Sequence, residues 1–240
     1  MANNESSYSD KLRRGVEIYS FIKNFVPAFA PADPDITATG FKTFLDSIVT
    51  ANNSLAAVET TLNAEVGSRR NAANAIQVTA LSIKDHVTST QPWKQWHVLV
   101  SKAADATRGY VLPKKKVAPV AGTPPKKASS GARSQQGYGD IDTLFGKLIE
   151  SVKKITGYIS IPGSGLSVVE LEAQREAYQT LNDSVSTAEA AWGTAVDVRS
   201  RLYIDPNTGL KAKVMAIKKA VRSQYNSTSS QYAQVKNIKV

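Results

Sequence analysis

The segment "SVVELEAQREAYQTLNDSVSTAEAAWGTAVDVRSRLY" (residues 167–203) decides the fold class, because its apolar residues recur every seven positions. One seam position holds Leu171, Tyr178, Val185 and Trp192, and the second holds Leu181, Ala188, Ala195 and Leu202. A seven-residue repeat places all of these side chains along one stripe of a helix. The segment therefore predicts a single long helix with coiled-coil-like packing.

The rest of the chain shows the same preference for helices. Apolar residues recur at spacings of three and four over residues 8–26, 41–87, 93–107, 141–155 and 210–225. The segment "GSRRNAAN" (67–74) is the weak point at which the second of these helices could break. No run of alternating apolar and polar residues competes with this pattern, so the prediction is an all-α protein.

The two halves of the chain resemble each other. The segment "YSDKLRRGVEIYSFIKNF" begins at Tyr8 and "YGDIDTLFGKLIESVKKI" begins at Tyr138, and "LDSIVTA" at Leu45 resembles "LNDSVSTA" at Leu181. Each half has the order short helix, long helix, helix. We expect an internal duplication that gives two tandem antiparallel helical bundles, residues 1–111 and 138–240, joined by residues 112–137. The alternative is that unrelated helices share a period.

The segment that would join the bundles is basic and rich in proline. Residues 112–133, "LPKKKVAPVAGTPPKKASSGAR", contain no acid and no aromatic residue. Their cations are Lys114, Lys115, Lys116, Lys126, Lys127 and Arg133. Such a composition cannot build a core and favours a linker. The alternative is an arm that neutralises phosphates of a nucleic acid without sequence preference.

A second concentration of positive charge follows Asp205, the last acidic residue of the chain. Lys211, Lys218 and Arg222 are predicted to share one face of the helix that begins near Leu210. A solvated helix face explains them without a partner. Together with the linker they could instead form a two-part site for an acidic partner, either a protein or a nucleic acid.

The sequence offers no catalytic, cofactor or metal motif. The chain has no cysteine, and its two histidines, His86 and His97, lack further ligands at usable spacing. The segment "DPNTG" (205–209) favours a turn that joins two helices rather than a calcium loop. We therefore expect no enzyme, no cofactor and no bound metal. An enzyme would gain support if Glu59, Glu65 or Glu189 faced a deep pocket.

Two tryptophans are candidates for a protein interface. Trp93 and Trp96 lie three residues apart at the predicted start of a helix. Large aromatic side chains often anchor interfaces when they are exposed. We expect a contact site here if both indoles prove exposed.

The expected function is that of a non-catalytic structural or scaffold protein that acts through protein–protein contacts, either with a partner protein or with further copies of itself. The alternative is a nucleic-acid-associated protein that binds phosphates through the basic linker and the last helix. The N-terminal sequence has no apolar segment of the secretory type, and no later segment is long and apolar enough to span a bilayer. The expected location is the cytoplasm.

Overall fold

The computed structural model describes residues 2–109 and 137–240, with side chains from Tyr8 onward. Over these ranges every regular element is a helix, so the all-α prediction is confirmed. The α-helices are α1 (Ala2–Ile22), α2 (Ala38–Ser89), α3 (His97–Thr107), α4 (Tyr138–Lys153), α5 (Val168–Ile204), α6 (Leu210–Tyr225) and α7 (Ser230–Val235). Two 3₁₀ helices, Pro34–Ile36 and Gln91–Trp96, precede α2 and α3.

Helix α2 runs for 52 residues and continues through residues 67–74 without a break. Gly67 lowers the local helix propensity by about 1 kcal/mol relative to alanine. Contacts of residues that follow Gly67 offset that cost, because the Arg69 guanidinium lies 4.0 Å from the centre of the Tyr138 ring and Ala73 and Ile76 are buried. Tertiary packing therefore keeps the helix continuous.

Helix α5 matches the predicted long helix, and its two ends are fixed by side chains. At the start, Ser167 and Glu170 form a capping box, in which the Glu170 carboxylate accepts a hydrogen bond from Ser167 N–H at 3.0 Å. At the end, Asp205 Oδ1 accepts hydrogen bonds from the N–H groups of Asn207 and Thr208, both at 2.8 Å. The segment 205–209 is thus the predicted turn between two helices.

The described structure divides into two compact units. Unit 1 consists of Met1–Leu62 and Ala188–Val240, and unit 2 of Asn63–Thr187. This division differs from the predicted one at residues 111 and 138, because the boundaries fall inside α2 and α5. The tandem arrangement of two bundles is not confirmed.

Each hydrophobic core takes its residues from both halves of the chain. The core of unit 1 combines Ile18, Ile22, Phe25, Phe29, Ile36, Phe41, Leu45 and Ile48 with Tyr203, Leu210, Val214, Ile217, Val221, Tyr225, Val235 and Ile238. The core of unit 2 combines Ala73, Ile76, Ala80, Ile83, Val87, Trp93, Val100 and Ala104 with Ile141, Phe145, Leu148, Ile149, Val152, Ile155, Leu166, Leu171 and Tyr178. The two halves contribute almost equally to each core, which explains why the units do not follow the order of the chain.

Each long helix contains a stretch that contributes no buried residue. Residues 56–72 of α2 and 189–202 of α5 are exposed or half-buried. The heptad seam of α5 is therefore buried at Leu171, Tyr178 and Val185, whereas Trp192 is only half-buried. The seven-residue repeat therefore extends beyond the buried part of the helix, as far as the half-buried Trp192.

Unit 1 contains a polar cluster around Tyr203, which we call the Tyr203 cluster. The Tyr8 ring lies 4.5 Å from the Tyr203 ring, and the Arg199 guanidinium lies 5.1 Å from the Tyr8 ring centre. Asn52 Nδ2 donates to the Tyr203 hydroxyl at 3.1 Å. Burial raises the pKa of Tyr203, and the Asn52 hydrogen bond and the Arg199 charge oppose this rise.

Unit 2 contains a corresponding cluster around Tyr178, the Tyr178 cluster. The Tyr178 hydroxyl donates to the Tyr138 carbonyl at 3.0 Å, and Arg69 covers the Tyr138 ring. Burial raises the pKa of Tyr178 to about 12, while the Arg69 charge and a side-chain hydrogen bond from Asn182 oppose the rise. In each unit one arginine, one asparagine and two tyrosines therefore interact.

Two glycines of α2 give a matched test of the close contact at the start of this helix and of its continuity at Gly67. An alanine Cβ at Gly40 would lie 2.1 Å from the Pro34 carbonyl oxygen, whereas one at Gly67 would meet no atom within 4 Å. We expect Gly40→Ala to destabilise the protein by at least about 1–3 kcal/mol, since backbone must move. Gly67→Ala should stabilise it by about 0.5–1 kcal/mol. Urea unfolding measures both, and equal effects of the two substitutions would contradict the continuous helix.

The turn after α5 predicts a pH effect. Backbone hydrogen bonds from Thr208 and Asn207 lower the pKa of Asp205 below its ordinary value of 3.8. The carboxylate therefore stabilises the fold above that value and loses its contribution as the pH falls through the lowered pKa. Asp205→Asn keeps an acceptor but no charge. The difference in melting temperature between wild type and variant should be largest at neutral pH and shrink on acidification, and a constant difference would contradict this assignment.

Candidate acidic-partner surface

Helix α6 is amphipathic, and its polar face carries cations without a neutralising acid in the same helix. Leu210, Val214, Ile217, Val221 and Tyr225 are buried in the core of unit 1. The face turned to solvent carries Lys211, Lys219 and Arg222, together with the half-exposed Met215. Among the described residues, no salt bridge involves Lys211, Lys219 or Arg222, so this surface keeps its positive charge.

The segment that follows α7 lies beside α6 and is held there by two cations. Lys218 Nζ donates to the carbonyl oxygen of Lys236 at 3.2 Å and to that of Ile238. Arg14 of α1 donates to the carbonyl oxygen of Lys239 at 2.9 Å. Ile238 is buried in the core, so the segment 236–239 has both polar and apolar anchors.

Together, α6 and this segment enclose a surface depression of about 320 Å³, which we call the α6 depression. Its lining comprises Lys211, Val214, Met215, Lys218, Ile238, Lys239 and Val240. The lining thus combines three lysines with apolar side chains, and we call these apolar side chains the floor of the depression. Such a combination suits a ligand that carries both carboxylates and apolar groups.

The electrostatics of the depression reflect the crowding of positive charge. Desolvation, followed by repulsion from Lys239, lowers the pKa of Lys218. Lys213 does not take part, because its ammonium lies 3.0 Å from Asp35 and 5.1 Å from the centre of the Phe44 ring. Of the lysines that line the depression, Lys211 and Lys239 are therefore available to a partner, and Lys219 and Arg222 are exposed farther along α6.

The structure places the predicted site residues unevenly. Lys114, Lys115, Lys116, Lys126, Lys127 and Arg133 lie outside the described residues. Lys211 and Lys218 line the same depression, but Lys218 is already bonded to backbone carbonyls. Arg222 is exposed on α6 but does not line the depression.

The predicted tryptophan interface does not meet its condition that both indoles be exposed. Trp93 is only 8% exposed and stacks on Tyr158 with a ring-centre distance of 5.3 Å. Its other neighbour is the His86 ring, which meets it edge-on. Trp96 is half-buried and packs against the core of unit 2. The two rings therefore serve the packing of unit 2, because the 3₁₀ helix turns Trp93 inward.

Both histidines contact backbone carbonyls. His86 Nε2 lies 2.9 Å from the Ile159 oxygen, and His97 Nε2 lies 3.3 Å from the Thr90 oxygen. Among the described residues, no group of three or more metal-binding side chains is gathered in one place. In the same part of the chain, no helix combines the length and apolar character needed to cross a bilayer.

Sequence reasoning missed Met215, Ile238 and Lys239 as parts of the site. The excess of cations after Asp205 includes Lys236 and Lys239, so the sequence already shows that positive charge is concentrated in this region of the chain. The return of this segment to α6 depends on the buried Ile238 and on hydrogen bonds to Lys218 and Arg14. These are contacts between distant residues, which periodicity does not indicate.

Comparison of the chain with protein-family models, with curated proteins and with solved structures found no significant match.

Proposed function

We propose that this protein is a non-catalytic helical scaffold that acts through protein–protein contacts, and that the α6 depression is where an acidic partner docks. The observation that supports this proposal is the apolar floor between Lys211, Lys218 and Lys239. An acidic peptide with apolar side chains can contact the apolar floor and also pair its carboxylates with the lysines. A phosphate backbone can interact only with the lysines.

Nucleic-acid binding is the second candidate. It is favoured by the exposed cations Lys211, Lys219 and Arg222 on one helix, and by the six cations of residues 112–133, which lie outside the described structure. Binding of this kind would follow salt concentration steeply through counterion release. A cytoplasmic location stays a prediction from the sequence.

We also propose that the two halves arose by internal duplication. The members of the two tyrosine clusters support it, since Tyr8 and Tyr138, Asn52 and Asn182, and Arg69 and Arg199 are each 130 positions apart. The same offset relates buried residues of the two halves, namely Ile18 and Leu148, Ile22 and Val152, Phe25 and Ile155, Ile36 and Leu166, Phe41 and Leu171, Ile48 and Tyr178, Leu55 and Val185, and Ala73 and Tyr203.

The offset becomes 134 beyond the turn at 205–209. It then relates the buried residues of late α2 to those of α6, namely Ile76 and Leu210, Ala80 and Val214, Ile83 and Ile217, and Val87 and Val221. Four extra residues at the turn account for this change. The second half would thus have two helices where the first has one continuous helix.

The docking proposal predicts the effect of charge reversal in the α6 depression. The double variant Lys211→Glu/Lys239→Glu should bind a fluorescent peptide of alternating glutamate and leucine at least about tenfold more weakly than wild type at low salt, a loss of about 1.4 kcal/mol. The matched control is Lys94→Glu/Lys102→Glu, which changes the net charge equally on exposed lysines of unit 2. An equal loss in both variants would contradict a specific site.

Met215→Ser separates the two candidate partners. It should weaken peptide binding because it removes part of the apolar floor, and it should leave binding of a DNA duplex unchanged. Fluorescence anisotropy at several salt concentrations measures both. Tight duplex binding with a steep salt dependence, combined with no peptide binding, would favour the nucleic-acid function instead.

The duplication predicts a pattern in homologous sequences. A sequence profile built from homologues and aligned with itself should show similarity at an offset of 130, changing to 134 after the position of the turn. A profile without this self-similarity would contradict the duplication.

A further inference from the structure

Each unit joins the first part of one half to the last part of the other. In unit 1, α1 and early α2 pack with the end of α5, α6 and α7. In unit 2, α4 and early α5 pack with late α2 and α3. The two units are therefore assembled in the same way, except that the half that supplies the first part in one unit supplies the last part in the other.

Direct contacts connect the halves in unit 1. Residues 26–30 lie against α6 and α7, where Gln224 Nε2 donates to the Ala28 oxygen at 2.7 Å and Gln231 Nε2 donates to the Val26 oxygen at 3.0 Å. The Tyr225 hydroxyl donates to the Pro27 oxygen at 2.6 Å, and its ring meets Phe25 edge-on. Both polar and apolar contacts thus cross from the first half to the second.

Unit 2 has its own contacts between the halves. Helix α3 packs against α4, and Gln174 of α5 donates to Thr79 of α2 at 3.2 Å. Trp93 of the first half stacks on Tyr158 of the second, and His86 reaches the Ile159 carbonyl. Separation of the halves would expose both cores at once.

The two tyrosine clusters follow the same exchange. Arg199 of the second half covers Tyr8 of the first, and Arg69 of the first half covers Tyr138 of the second. The buried tyrosine of each cluster stands at a different position of the repeat. At an offset of 130, Ile48 in the core of unit 1 corresponds to Tyr178 in the core of unit 2. At the same offset, Ala73 in the core of unit 2 corresponds to Tyr203 in the core of unit 1. A large and a smaller side chain have thus changed places between equivalent positions, as expected for two copies of one arrangement that adjusted independently.

We propose that the chain is a fused, segment-exchanged pair, in which each half is the binding partner of the other and the pairing does not need the covalent connection through residues 110–136. The interaction surface consists of the buried faces of α1, α2 and α3 on one half, and those of α4, α5, α6 and α7 on the other. The equivalence of the two halves rests on the proposed duplication. The free energy of their association comes from the apolar side chains that they bury together in the two shared cores.

The test is to cut the folded full-length protein between the halves. A recognition sequence for a site-specific protease is inserted between Gly122 and Thr123, and the cleaved protein is analysed by native size-exclusion chromatography with light scattering. The two fragments should elute together at the mass of the intact chain, about 25.8 kDa plus the insertion. Two separate folded species would overturn the proposal.

Thermal unfolding of the cleaved protein distinguishes halves that share both cores from tandem bundles that fold separately and associate through their surfaces. The uncleaved protein is the matched control, and its midpoint should not depend on concentration. For the cleaved pair, unfolding also releases the partner, so the midpoint should fall by roughly 3–6 °C for each tenfold dilution. A midpoint independent of concentration after cleavage would overturn the exchange.

The outcomes also separate this inference from the others. Homologues without the 130-residue periodicity would contradict the duplication. If the unfolding midpoint of the cleaved protein still depended on concentration, the proposed pairing of the halves would stand without it. The α6 depression lies wholly within unit 1, and its peptide binding is measured on the uncleaved protein. Failure of that binding leaves the pairing test intact.

Discussion

The structure depends on the burial of apolar side chains toward both ends of two long helices, each of which also contains a stretch without any buried residue. Helix α2 supplies Phe41 and Ile48 to one core and Ile83 and Val87 to the other. Burial of such side chains contributes about 1.5–3 kcal/mol each, which no isolated helix can gain. Both ends of α2 and of α5 must therefore be covered by other helices. The structure achieves this by drawing half of each core from each half of the chain.

The polar clusters show how a buried tyrosine is accommodated in each core. Tyr203 and Tyr178 are almost completely buried, yet each hydroxyl has a hydrogen-bond partner. The nearby arginines place their guanidinium groups on a second tyrosine ring and keep their charge at the edge of the core. An unpaired hydroxyl in either position would cost about 1–3 kcal/mol. The clusters therefore fix how the helices meet as well as fill space.

The helices could be predicted from the sequence, whereas the way in which they pair could not. The heptads of 167–203 located α5 nearly to the residue, and "DPNTG" located the turn, because both depend on neighbours in the chain. Periodicity shows which face of a helix is apolar, but it does not show which helix covers that face. The predicted division at residues 111 and 138 followed chain order for this reason. The α6 depression was found only in part, since its second wall arrives through the burial of Ile238.

Shared cores also impose an order on synthesis of the chain. When the first hundred or so residues have left the ribosome, neither core has its second set of apolar residues. The core of unit 2 has all its members once Tyr178 has been added, whereas that of unit 1 waits for Ile238. Helix α1 is thus made before the other described helices but reaches its final contacts among the last. Until then its apolar face is open to water and to other nascent chains, an interval in which a chaperone would have its clearest role.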